Sequence, residues 1–174
     1  GVQTCALPIF TRYMDSTPLN HRSILATNSW QEAVAAYLAC TEFVDHCVGL
    51  ILNSLSQSHH AKKTLVVLWS DHGWHLGEKQ LWAKRSLWEE STRVPLMISG
   101  PGLDRSRCDR PVQLLDIYPT LVELCGLAKP PQKLEGHSLL PLLIQPNTSW
   151  PYPAITTFHC NDHAVRTDRW RYIS

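Results

Sequence analysis

The chain has 174 residues, 44% of them apolar and 18% charged; that is enough length and apolar content for one real core, and it excludes disorder as the main state. Sixteen Lys and Arg against fifteen Asp and Glu leave a net charge of +1, too weak a field to select nucleic acid or a membrane surface as partner. No unbroken apolar run approaches the ~20 residues that cross a bilayer, and the N-terminus lacks a basic stretch leading into an apolar one.

Taken in chain order, residues 1–9 (Gly1-Val2-Gln3-Thr4-Cys5-Ala6-Leu7-Pro8-Ile9) fit no element that follows and resemble translated sequencing-adapter sequence, so they are expected to be non-native. Ser29-Trp30-Gln31-Glu32 has the spacing of a capping box. Val34, Tyr37, Leu38, Val44, Val48, Ile51, Leu52 and Leu55 then recur every three or four residues, which predicts a helix over 30–56 with one apolar stripe. Thr64-Leu65-Val66-Val67-Leu68-Trp69 is a short β-branched run of the kind found in strands covered on both faces, and Val94-Pro95-Leu96-Met97-Ile98-Ser99 is a second, closed by Gly100-Pro101-Gly102. The two are expected as neighbours in a mostly parallel sheet, with the helix packed across one face. Asp116 is placed to cap a helix that Gly126 ends. From Leu127 the chain turns Pro-rich, and residues 164–173 have the makings of a hairpin.

This order predicts an α/β fold, with residues 10–126 in one α/β domain and 127–174 as linker and the start of a small α+β subdomain. Six cysteines without any CxxC pair or metal-finger spacing indicate neither a zinc ribbon nor a disulfide scaffold and are expected to be mostly buried, unpaired thiols.

Chemistry concentrates after the first strand. Ser70-Asp71-His72-Gly73 sits at its carboxyl end, where open α/β sheets place ligands, and an adjacent carboxylate and imidazole can converge on one cation. The loop continues through Trp74-His75-Leu76-Gly77-Glu78 and Trp82-Ala83-Lys84-Arg85-Ser86, a concentration of aromatic and charged residues that filler would not carry. Lys84 is the natural anion ligand, able to neutralise the oxygens of a sulfate or phosphate ester. His75 and Lys79 flank the loop as candidate substrate contacts, as do His163 and Arg166 in Asn161-Asp162-His163-Ala164-Val165-Arg166. His59, His60 and His137 read as loop residues rather than ligands.

The ordered set Ser70-Asp71-His72-Gly73-Trp74-His75-Leu76-Gly77-Glu78, Trp82-Ala83-Lys84 and Thr92-Arg93-Val94-Pro95-Leu96 resembles the second signature region of sulfatases, within the alkaline-phosphatase superfamily, in the form found in the iduronate-2-sulfatase-like branch. The resemblance implies a mostly parallel sheet sandwiched by helices and hydrolysis of sulfuric esters on a sulfated sugar or glycosaminoglycan. It implies that Asp71 and His72 ligate one calcium ion and that Lys84 is the catalytic residue contacting sulfate; by ligand type alone the nitrogen of His72 leaves zinc or manganese open. The family's nucleophile is a formylglycine made by a maturation enzyme from the Cys or Ser of a C-x-P-S-R motif. No such motif occurs here, so the chain is expected to be an inactive fragment carrying half a site, with the nucleophile upstream. The family further implies a periplasmic, secreted or lysosomal location. Two other readings stand beside this one: a phosphomonoesterase or phosphodiesterase of the same superfold, and a catalytically dead metal-binding homologue.

Overall fold

The computed structural model describes residues 20–174. The non-native segment expected over residues 1–9, with Cys5, lies outside the described residues. The described chain forms two compact units, one from residues 20–64 together with His72–Pro95, the other from Leu65–Asp71 with Leu96–Ser174.

The first unit opens with helix α1 (His21–Ala26) and continues into α2 (Trp30–Ser56), whose bounds are those the periodicity predicts. The capping box, however, belongs to α1. Asn20 Oδ1 accepts from Ser23 N at 2.8 Å and Ser23 Oγ accepts from Asn20 N at 3.4 Å. Ser29 makes no side-chain cap on α2, because its hydroxyl is engaged with Thr27 Oγ1 at 2.6 Å. No residue of α2 is buried; Leu38 is 58% exposed and Ile51 67%. The stripe thus lacks the burial expected of a helix packed across a sheet face. Periodicity identifies a helix, but burial needs a covering surface. By length and composition alone α2 also suffices to cross a membrane, against the expectation of no such segment. That expectation rested on an unbroken run, whereas Glu42 and Asp45 interrupt a window that is apolar on average; a core helix of a soluble protein meets the same criterion.

Two short strands, β2 (His75–Leu76) and β3 (Trp82–Ala83), pair antiparallel further along the first unit, and a four-residue helix, α3 (Glu89–Thr92), follows. The second unit holds β1 (Val66–Trp69) and β4 (Leu96–Ser99) as neighbours. They pair antiparallel, Val66 opposite Ser99 and Trp69 opposite Leu96, which corrects the parallel pairing expected of them. The apolar runs signal strands but not their direction, which depends on how the intervening chain returns. Nor is β1 covered on both faces: Trp69 is 50% exposed and the rest of the strand half-buried.

Helix α4 (Ile117–Leu124) ends as the sequence predicts, in a Schellman closure with Gly126 at φ 60° and Leu127 N donating to Val122 O at 2.9 Å. Its start differs. The Asp116 side chain does not cap α4 but folds back, taking Gln113 N on Oδ2 and His137 N on Oδ1, each at 2.8 Å. The adjacent Thr120 hydroxyl donates to Asp116 O and accepts from Leu139 N, so a buried polar cluster pins the segment leading to α5 (Leu140–Ile144). The unit closes with an antiparallel meander of β5 (Ala154–His159), β6 (Asp162–Arg166) and β7 (Arg171–Ile173). The β6–β7 pair is the hairpin read from the sequence; β5 went unseen. The five described cysteines are unpaired as expected, but only Cys47 is even half-buried, which corrects the expectation of buried thiols.

Two glycines separate local propensity from packing. A Cβ at Gly49, inside α2, would meet nothing within 4 Å, whereas at Gly136 it would collide with the Leu115 carbonyl oxygen. Gly49→Ala is expected to raise stability by roughly 0.5–1 kcal/mol, and Gly136→Ala to lower it by about 1–3 kcal/mol. Chemical denaturation measures both, and equal effects at the two positions would contradict these contacts.

Candidate active site

The loop predicted to carry chemistry is built on one close approach. Gly73 N donates to Ser91 O at 2.7 Å, and a Cβ at Gly73 would collide with the Glu90 carbonyl oxygen and lie 3.0 Å from that of Arg93. Only glycine allows two backbones so near. Between these contacts the chain makes the β2–β3 hairpin, turning at Gly77 with φ 109° and closed by Gly77 N donating to Leu81 O at 2.9 Å. Helix α2 supports the hairpin through aromatic rings. Trp30 fills the space a Gly77 side chain would need and meets buried Trp82 edge-on at 5.5 Å, while Tyr37 stacks on Trp74 at 6.3 Å.

Within the first unit the structure brings His72 and Lys84 together, with Lys84 Nζ 2.6 Å from His72 Nε2. His72 Nδ1 lies 2.9 Å from Gly73 O. A carbonyl oxygen only accepts and an ammonium only donates, so the imidazole carries its proton on Nδ1 and presents a lone pair on Nε2. That is the arrangement of a metal-binding histidine, whose second nitrogen is tied to a carbonyl so that the first can ligate. His72 is half-buried and Lys84 exposed. Asp71, also exposed, follows β1 in the second unit at the strand's carboxyl end. No group of three or more His, Cys, Asp or Glu side chains able to hold a metal occurs among the described residues. A calcium shell of six to eight oxygens is thus not closed by them, although the His72 tautomer fits a contribution to one.

The secondary candidates separate. His75 is 1% exposed, with Nε2 at 2.7 Å from Ser86 Oγ, so it is packed under the loop rather than presented to a substrate, which corrects its reading as a substrate contact. Lys79 stands at φ 55° on the hairpin turn with its ammonium 4.0 Å above the Trp88 ring, a cation–π contact. His163 and Arg166 lie in the second unit on β6, three positions apart and therefore on opposite faces. His163 Nδ1 meets Thr157 Oγ1 at 2.9 Å, and the Arg166 guanidinium donates to the Thr167 carbonyl. His137 stacks on Tyr152 at 3.5 Å, while His59 and His60 lie exposed beyond α2.

Sequence reasoning missed Ser86 and Ser91, both buried and joined by a 2.9 Å hydrogen bond. Two serines five residues apart carry no signal of their own; only the unusual density of the loop pointed near them.

The architecture is the α/β fold of alkaline-phosphatase-like hydrolases. Residues 9–127 match the family model for sulfatases, and the chain belongs to the sulfatase family. It is 43% identical over 163 residues to a sulfatase of Formosa agariphila, covering 92% of this chain and 32% of that protein. The structure of a 2-O GAG sulfatase superposes with a TM-score of 0.69 at 28% identity, over 83% of this chain and 34% of that one. A phosphonate monoester hydrolase of Agrobacterium radiobacter shares the fold with a TM-score of 0.65 at 25% identity, over 75% and 30% of the two chains. The chain spans about a third of the length of the curated relatives it matches.

Two outcomes test the site's construction. Gly73→Ala is expected to cost about 1–3 kcal/mol in chemical denaturation, since only backbone lies where the methyl must go; a neutral result would contradict the close approach. Burial holds the His75 pKa below its ordinary 6.5, against the opposing pull of the Glu90 and Glu78 carboxylates. The unfolded chain then binds the proton more tightly than the folded one, so His75's contribution is intact above 6.5 and declines as the pH falls below it. Urea midpoints measured from neutral to mildly acidic pH should fall less steeply in His75→Gln than in the native chain; equal slopes would refute the buried neutral imidazole.

Proposed function

We propose that this chain carries part of the active site of a sulfuric-ester hydrolase acting on a sulfated carbohydrate, of the iduronate-2-sulfatase-like kind. The observation that carries the reading is the His72–Lys84 pair, an imidazole lone pair and an ammonium 2.6 Å apart on a loop held by backbone contacts. A lone pair invites a cation and an ammonium invites an anion; a metal-assisted sulfate site needs both side by side.

In this reading Asp71 and His72 would hold one calcium ion together with further ligands. A bound calcium ion would supply positive charge against the oxygens of the ester. Lys84 turns its ammonium to the sulfuryl oxygens and stabilises the charge developing there. The nucleophile, a formylglycine made by a maturation enzyme, belongs to a preceding segment of a longer protein, and the 174-residue chain by itself is inactive.

The test compares this chain, the longer protein and its Lys84→Ala variant on an aryl sulfate and the matching aryl phosphate, with calcium present. The longer protein is expected to hydrolyse the sulfate, the variant to lose roughly 10²–10³-fold in kcat, and the chain alone to show no turnover. Turnover by the chain alone would refute the half-site. Activity on phosphate but not sulfate would move the reading to the phosphatase branch of the fold, which the phosphonate hydrolase represents.

A further inference from the structure

A string of buried hydrogen bonds links the backbone beside His72 to that of Lys84. Ser86 N donates to Lys84 O at 2.8 Å, which fixes the backbone that carries the ammonium. On the other side, Gly73 N donates to Ser91 O, which fixes the residue after His72. The two serines are joined by their side chains, Ser86 Oγ donating to Ser91 Oγ at 2.9 Å. Ser86 Oγ also accepts from Trp88 N at 3.2 Å. With its only proton given to Ser91, the hydroxyl must accept from His75 Nε2, 2.7 Å away, so His75 carries its proton on Nε2. His75, Ser86, Ser91 and Leu87 are all buried, and water cannot substitute for these contacts without opening the loop.

We infer that His75 is a positioning residue, which through the Ser86–Ser91 link sets the spacing of His72 and Lys84. The inference rests on the functional reading above for its catalytic consequence, but the geometric linkage stands apart from it. His72 and His75 carry opposite tautomers for this reason: one points a lone pair outward to the site, the other an N–H inward to the serine. A side chain without a donor removes one of the two hydrogen bonds that Ser86 Oγ accepts, leaving those to Trp88 N and Ser91 and loosening the backbone under Lys84. Glutamine can restore the bond, since its amide nitrogen reaches about as far as Nε2 of an imidazole.

The experiment uses the longer protein and its His75→Leu and His75→Gln variants, with histidine rings labelled for ¹⁵N NMR. The expected result is that the His72 ring resonances shift in His75→Leu and return towards native values in His75→Gln. Where the protein hydrolyses an aryl sulfate, kcat should fall roughly 10- to 100-fold in His75→Leu with KM little changed, and His75→Gln should recover most of the loss. A merely structural role would instead reduce the folded fraction and leave kcat per folded molecule untouched. Unmoved His72 resonances in His75→Leu, or failure of His75→Gln to recover, overturns the inference. A native protein inactive on sulfate esters sinks the functional reading alone, and the ring resonances then decide the linkage.

Discussion

The approach of Gly73 to the carbonyls of Glu90 and Arg93 is the contact on which the rest of the loop depends. Its amide gives a hydrogen bond to Ser91 O, and its bare Cα lets two stretches of backbone lie closer than any side chain permits. That seam makes the chain between His72 and Arg93 a closed loop, with the β2–β3 hairpin inside it. It also fixes the backbone next to His72, and so where its imidazole can point. The His72–Lys84 pair is thus a consequence of backbone contact first and side-chain chemistry second, the order expected where paired groups need tight placement.

Helix α2 holds the hairpin from behind. Trp30 and Tyr37, seven residues apart on one face, meet Gly77, Trp82 and Trp74. Beyond Tyr37 the helix presents Phe43, Ile51 and other apolar residues to solvent. An apolar surface on that scale is costly to leave wet, so in isolation the chain has less stabilising burial than its composition allows.

Much of this was legible in the sequence, for reasons that differ by element. Helix 30–56 appeared because an amphipathic period repeats enough times to outweigh local accidents. The strands at 66–69 and 96–99 appeared as apolar runs, but their antiparallel sense is a property of the connection and leaves no mark in composition. Asp116 was visible as a capping residue, yet its carboxylate takes the amides of Gln113 and His137, the latter from a segment twenty-one residues on that no local rule connects. Asp71, His72 and Lys84 stood out in the sequence because an acid, an imidazole and an amine after a strand are an unusual set. The pairing of His72 with Lys84 was foreseeable from them; the burial of His75 was not, since a histidine on a polar loop reads as exposed until Ser86 is found beneath it.

The most direct measurement is the protonation pattern of the His72 ring, read by ¹⁵N NMR at mildly alkaline pH. The account predicts a proton on Nδ1, held by the Gly73 carbonyl, and a bare Nε2 turned to Lys84, the state in which the imidazole can ligate a cation. A proton on Nε2 with Nδ1 bare would remove the lone pair from the site and contradict the account.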